Sequence, residues 1–293
     1  MGLRQTAANA LKDLPLGVHK AVPPGIRRDL RHRLGRYYRY EAEYNFSETA
    51  PLGPGETVGP PDFAGIGVQK AGTSWWFRLI IDHPGVAHIP VVNKELHFFA
   101  RFGAQPFGPS DITDYHRQFP RRSGDLTGEW TPDYLYYPWV PPLLAKAAPD
   151  TKLLLILRDP IERFRSGLAS EIRNGAAHVG ATIAEVVGYT MYAENLRRWM
   201  DHFPAEQLLI LQYERCVAAP VEQLVATYRF LGLDPEHRPD ILNRSINKTM
   251  EGKLVLDADV KKRLQDIFAP DVAELVRLVP TLDLALWKGM TQI

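Results

Sequence analysis

The sequence predicts an α/β domain with a central parallel sheet covered by helices on both faces. Three observations carry that expectation. Short apolar runs alternate with helix-spaced segments from residue 63 onward. The first run leads into a Gly-bounded loop, Gly67-Val68-Gln69-Lys70-Ala71-Gly72. A later run, Lys152-Leu153-Leu154-Leu155-Ile156-Leu157, ends in Arg158-Asp159-Pro160. In parallel sheets ligands bind beyond the carboxyl ends of the strands, and the loop and Arg158 both fall at such ends.

Taken in order, the strands are expected at Phe63–Val68, Val86–Pro90, Leu126–Thr131, Lys152–Arg158 and Gln207–Gln212. Helical spacing runs over Trp75–Ile81, Ile161–Arg173, Ile183–Phe203 and Pro220–Leu231. The tail, Asp257–Val279, reads as two helices broken at Pro270. Residues 46–62 are rich in Pro and Gly and form a linker or wrapping loop. The expected division is therefore a basic arm and linker over 1–60 and one domain over 61–293.

The chain has 35 basic and 34 acidic residues, which argues against a general nucleic-acid binder. Charge is uneven, since Met1–Tyr40 has nine Lys or Arg against Asp13 and Asp29. A basic amphipathic arm of this kind either caps the domain or touches an anionic membrane surface. The single cysteine, Cys216, excludes an internal disulfide and reads as a packed thiol. No apolar run approaches the roughly 18 residues of a membrane span. No signal peptide is read at the N-terminus, and a cytoplasmic location is expected.

The loop from Gly67 to Gly72 lies between a strand and a helix, the layout that cradles phosphate on backbone N–H groups. A nucleoside-triphosphate loop has Lys directly after the second Gly, and here Thr73 stands there while Lys70 comes earlier. At the second site a buried strand delivers Arg158. Asp159 suits a helix N-cap and Pro160 the first helical position. Ser166, two turns on, lies roughly on the face of Arg158, so the pair forms a second phosphate site. The rival reading takes Asp159 as a metal-binding acid in a kinase with a degenerate phosphate loop.

These two stretches resemble the 5′- and 3′-phosphate signatures of the sulfotransferases that use PAPS, 3′-phosphoadenosine 5′-phosphosulfate. The likeness is nearest to the branch of heparan-sulfate sulfotransferases and their bacterial relatives. It extends to Asn93-Lys94-Glu95-Leu96-His97-Phe98-Phe99, to Gly128-Glu129-Trp130-Thr131-Pro132-Asp133-Tyr134, and to Gln207–Arg215. The resemblance covers about Phe63 to the C-terminus and implies a P-loop-like three-layer fold. It implies PAPS as cofactor, PAP as product, and no metal requirement. Gln69, Lys70, Ala71, Gly72, Thr73, Ser74 and Trp75 are then expected to bind the cofactor, with Gly72, Thr73 and Ser74 at the 5′-phosphate, and Arg158 and Ser166 at the 3′-phosphate. Trp75 or Trp76 could stack near the adenine. Glu95 matches the family's catalytic carboxylate, with His97 as the competing base, and Lys70 would stabilise charge on the leaving phosphate.

Lys94, Trp130 and Tyr134 are expected around a small-molecule or carbohydrate acceptor bearing a hydroxyl or, second, an amine. The chain departs from the polysaccharide branch at Trp130, where relatives commonly have Lys, and this points away from an acidic polysaccharide. A 3′-phosphate contact is also expected within Arg244–Lys253.

Overall fold

The computed structural model describes residues 52–87, 94–173, 179–242 and 254–290. The basic arm through residue 51 and the Arg244–Lys253 segment lie outside the described residues. In chain order the elements are β1 (Glu56–Val58), β2 (Phe63–Gly67), α1 (Thr73–Ile81), α2 (Pro109–His116), β3 (Pro120–Arg122) and β4 (Gly128–Trp130). There follow α3 (Val140–Ala147), β5 (Lys152–Leu157), α4 (Pro160–Arg173), α5 (Val179–Gly188) and α6 (Tyr192–Met200). The last are β6 (Leu208–Gln212), α7 (Tyr213–Ala218), α8 (Pro220–Leu231) and α9 (Ala258–Leu278).

Strands β4, β2, β5 and β6 lie side by side in that order, all parallel and flanked by helices. Phe63 pairs with both Gly128 and Lys152, and Leu153 with Leu208. The expected α/β fold is borne out. Strand β5 is buried from Leu153 to Leu157, as a strand covered on both faces must be. Because the strands run together, the chain leaves each of them at one edge, after Gly67, Trp130, Leu157 and Gln212.

Close approach sets the β2–β4 pair. Trp130 is fully buried and its ring lies across Gly65, where an added Cβ would sit 1.9 Å from Trp130 Cδ2. Glycine is therefore required at 65 by sterics alone. The Pro/Gly-rich segment wraps: β1 pairs antiparallel with β3, Glu56 opposite Arg122 and Val58 opposite Pro120.

Three expectations need correction. The helix expected over Ile183–Phe203 is two, α5 and α6, broken at Tyr189–Met191. Side-chain bonds hold the break: locally the Asn195 side chain donates to Gly188 O, and from α9 Asp271 accepts from the N–H groups of Ala193 and Glu194. The tail is one helix, α9, which continues through Pro270. Proline removes one helical hydrogen bond, and the buried face of Leu264, Phe268, Val272 and Leu275 outweighs it. Of the strand expected at Val86–Pro90, Val86 makes a single parallel bridge to Leu126, and residues 88–90 lie outside the described residues. Cys216 is buried, and burial pushes its thiol up, in keeping with a packed role. No described helix is long and apolar enough to cross a membrane.

A paired test follows from the glycines. Gly65→Ala is expected to cost about 1–3 kcal/mol through overpacking against Trp130. Gly180→Ala, in an exposed first turn with open space around it, is expected to be neutral or to stabilise by up to about 1 kcal/mol. Urea unfolding of the two variants measures the difference, and equal effects would refute the close approach.

Candidate active site

Two segments meet at the carboxyl edge of the sheet. The first is the loop from Val68 to Gly72, which enters α1. Gly72 caps that helix in the left-handed conformation, φ +77°, and a Cβ there would lie 2.9 Å from the Tyr213 ring. Its carbonyl accepts from the N–H groups of Trp75 and Trp76. The first-turn N–H groups of Thr73 and Ser74 have no carbonyl within the helix to bond, and anions are stabilised at such ends. Trp75 Nε1 is a buried donor with no acceptor among the described residues. Trp76 is core: it is fully buried and donates through Nε1 to Thr227 Oγ1 at 3.0 Å.

The second segment is the end of β5. Arg158 Nη1 donates to Lys70 O at 2.6 Å, and its guanidinium lies 4.8 Å from the Tyr213 ring centroid. Asp159 is the N-cap of α4, accepting from Ile161 N–H at 2.9 Å and Glu162 N–H at 3.3 Å through one oxygen. Its other oxygen accepts from Gly289 N–H. Both oxygens thus accept from backbone donors, and Asp159 serves as a helix cap. Ser166 is half-buried on α4. One turn further, Ser170 Oγ accepts from Lys70 Nζ at 2.8 Å. Burial holds the Lys70 ammonium below its ordinary pKa, Arg173 adds to this, and the Glu171 and Glu95 carboxylates oppose it.

Lys94, Glu95 and His97 stand beside this loop. Lys94 Nζ is ion-paired with Glu95 Oε1. His97 Nε2 lies 3.9 Å from Glu95 Oε2, and its Nδ1 lies 3.7 Å from Asp133 Oδ2. Asp133 Oδ1 accepts from the Gln69 side chain at 2.6 Å, which ties this group to the phosphate loop. Burial raises the Asp133 carboxyl, while His97 and the Gln69 hydrogen bond lower it. Among the described residues, the non-glycine positions with positive φ are Lys70, Glu95 and His97, at +68°, +67° and +50°. Such conformations cost on the order of 1–3 kcal/mol each and gather at functional sites.

The floor of the site is β4. Glu95 N–H donates to Trp130 O at 3.1 Å, and His97 N–H to Thr131 Oγ1 at 3.4 Å. Thr131 Oγ1 in turn donates to Glu129 at 2.7 Å, as does Tyr115 OH. Glu129 is fully buried, and burial pushes its carboxyl up to about 7 against the hydrogen bonds that favour its charge.

Most of the expected residues therefore come together: Gln69, Lys70, Ala71, Gly72, Thr73, Ser74, Lys94, Glu95, His97 and Arg158 line one edge. Trp130 and Tyr134 do not line an open pocket, as both are fully buried. Trp130 packs on β2, and Tyr134 OH accepts from Phe99 N–H, so they support the site from below. Sequence reasoning gave no role to Ser170, Asp133, Glu129, Arg163 or Tyr213. Helical spacing from Ser166 could have offered Ser170, and Glu129, Asp133 and Tyr213 lie within stretches that carry the resemblance, whereas Arg163 meets the site only through tertiary contacts.

A phosphate-type loop on a parallel sheet, with an Arg-bearing strand end beside it, defines a P-loop-like α/β protein. A family model described as "Sulfotransferase family" matches residues 136–237, a stretch that holds Arg158 and Ser166 but begins after the phosphate loop. The chain is 31% identical over 183 residues to heparan sulfate glucosamine 3-O-sulfotransferase 3B1 of Mus musculus, covering 57% of this chain and 45% of that protein. It is 26% identical over 243 residues to the Homo sapiens protein of the same name, covering 70% and 60%. The chain thus spans about half the length of the curated relatives it matches. A solved sulfotransferase from Alicyclobacillus acidocaldarius superposes with a TM-score of 0.63 at 25% identity, covering 79% of this chain and 100% of that one. The resemblance carried by the motifs is borne out.

Glu129 offers a pH test. Its carboxyl rises on folding from the ordinary 4.5 to about 7, so the folded state holds a proton that the unfolded state releases. That contribution is full below about pH 4.5 and is lost as pH rises through 7, a change of about 3 kcal/mol. Glu129→Gln removes the titration. Its stability relative to the parent is expected to improve by about that amount between pH 4.5 and 7.5 in urea melts. A pH-independent difference would show that Glu129 stays ionised.

Proposed function

We propose that this protein is a sulfotransferase that moves a sulfuryl group from PAPS to a hydroxyl, with an amine as the lesser choice. The observation that carries the reading is the placement of Lys70 within a phosphate-type loop, under the charge of Glu95 and gripped by Arg158. The donors fit the cofactor: first-turn N–H groups and the Thr73 and Ser74 hydroxyls for one phosphate, Arg158 with Ser166 for a second. The unpaired Trp75 Nε1 is a further donor at this helix end. PAPS supplies an activated sulfuryl group when bound.

In this reading Glu95 accepts the proton of the acceptor hydroxyl as that oxygen forms its bond to sulfur. Lys70 neutralises the charge that grows on the phosphate oxygen as its bond to sulfur breaks. Lys94 holds Glu95 in place, and His97 stands between Glu95 and Asp133. The curated relatives named for heparan sulfate support a carbohydrate acceptor as the first class to screen. Buried Trp130 presents no cation to an acidic polysaccharide, which favours a less charged sugar or a small alcohol.

Cofactor binding is tested with PAP in the presence of EDTA. PAP at about 100 times its dissociation constant is expected to add roughly 2.7 kcal/mol to stability. Arg158→Ala should erase the preference for PAP over AMP, since the lost charged hydrogen bond is worth about 1.5–3 kcal/mol. A melt that shifts with Mg·ATP and not with PAP would sink the reading.

Catalysis is tested by contrast. Glu95→Gln is expected to lower turnover about 10²- to 10⁴-fold with PAP binding intact. Lys70→Ala is expected to fall at least as far. Phenols of decreasing pKa, if accepted, should partly rescue Glu95→Gln and leave Lys70→Ala unrescued. Near-parental turnover of Glu95→Gln on a poorly acidic alcohol would move the base to His97.

A further inference from the structure

Helix α4 buries a guanidinium that the reaction itself does not use. Arg163 is 1% exposed, one turn beyond Asp159. Its Nε–H donates to Gln69 O at 3.3 Å. Its Nη1 donates to Val186 O at 2.8 Å and to Thr190 Oγ1 at 3.1 Å. The guanidinium lies 5.1 Å from the Tyr189 ring centroid. Burying such a cation is costly unless its donors are satisfied, and here carbonyls, a hydroxyl and a ring face satisfy it.

The arrangement has a consequence for the loop. Arg158 takes the carbonyl of Lys70, and Arg163 takes the carbonyl of Gln69. Two arginines thus hold two consecutive carbonyls toward α4. A carbonyl oxygen turned toward a phosphate would repel it. In a planar trans peptide the N–H points opposite to the carbonyl, so holding the Gln69 oxygen on one side presents the Lys70 N–H on the other, while the Ala71 N–H opposite the Lys70 carbonyl closes the loop onto Val68 O at 3.3 Å. Lys70 needs such a hold, because φ +68° is unfavourable for a residue with a side chain. The anchor is rigid: Thr190 Oγ1 also donates to Val186 O at 2.7 Å, and Gly167 lets α5 approach, since a Cβ there would lie 3.2 Å from Val186 Cγ1.

We propose that Arg163 is a positioning residue for the phosphate loop: anchored by Val186 and Thr190, it holds the Gln69 carbonyl so that the loop keeps its anion-accepting shape before any ligand arrives. The ligand part of the test rests on the PAPS reading; the loop part does not.

The experiment uses the full chain and the variants Arg163→Gln, Arg163→Lys and Thr190→Val, each checked for folding by near-UV circular dichroism. Calorimetry with PAP and with AMP reads the site, and hydrogen exchange of peptides covering residues 66–75 reads the unliganded loop. Arg163→Gln is expected to weaken PAP and AMP by the same factor, at least about tenfold, the scale of one charged hydrogen bond. This differs from Arg158→Ala, which should weaken PAP more than AMP and so erase the preference between them. Exchange at 66–75 should rise while exchange over β6 stays at the parental rate. Arg163→Lys keeps the charge but cannot span three acceptors, and it is expected to bind as poorly as Arg163→Gln. If Arg163→Gln does not fold, Thr190→Val, which only loosens the anchor, should show the same trend at a few-fold. A folded Arg163→Gln or Thr190→Val with parental affinity and parental loop exchange overturns the proposal. So does full restoration by Arg163→Lys, which would assign the effect to charge. Should the parent bind neither PAP nor AMP, the sulfotransferase reading fails, and loop exchange alone decides the role of Arg163.

Discussion

The site depends on the hold that β5 and α4 keep on the backbone of residues 69 and 70. Arg158 leaves the end of β5 and bonds the Lys70 carbonyl, and Arg163 bonds that of Gln69. Both bonds exist only because β2 and β5 are parallel neighbours, so their carboxyl ends open on one edge. An antiparallel pairing of the same strands would place the loop and Arg158 at opposite ends of the sheet. The Asp159 cap completes the arrangement, since it fixes where α4 begins and therefore where Arg163 stands.

A second layer of support comes from β4. Glu95 and His97 both have left-handed backbones. Their N–H groups are held by Trp130 O and Thr131 Oγ1, and Thr131 is held by buried Glu129. Asp133 then joins the two halves, bonding Gln69 on one side and facing His97 on the other. Asp133 thus links the phosphate loop to the Glu95–His97 segment. The left-handed positions at Lys70, Glu95 and His97 sit within a network of buried and half-buried hydrogen bonds, and such positions gather at functional sites.

The far end of the chain also reaches this edge. Gly289 N–H bonds Asp159, and Trp287 Nε1 donates to Glu214, whose other oxygen accepts from Asp159 N–H. Burial raises the Asp159 and Glu214 carboxyls, and backbone donors oppose the rise. The C-terminal segment thus packs against the beginning of α4, so truncation there would loosen the arginine pair as well as the core.

Much of this was legible in the residues themselves. The unbroken apolar run Leu153–Leu157 declares a strand covered on both faces, and Asp159-Pro160 declares a helix start, because caps and Pro at the first turn are local effects. The Gly67–Gly72 loop, placed between a strand and a helix start, predicts an anion site for the same reason. What only the tertiary structure decided are the long-range pairings. Thr190, Asn195 and Asp271 split one periodic segment into α5 and α6, and core packing carries α9 through Pro270. Trp130 and Tyr134, readable as acceptor walls from composition, are core because Gly65 leaves room for one ring and Phe99 bonds the other. Arg163 looks like any polar residue on a helix, and only its distance to Gln69, 94 positions away, gives it a role. Local chemistry is written in short stretches of chain, whereas the partner of a buried polar group depends on which distant segment the fold brings to it.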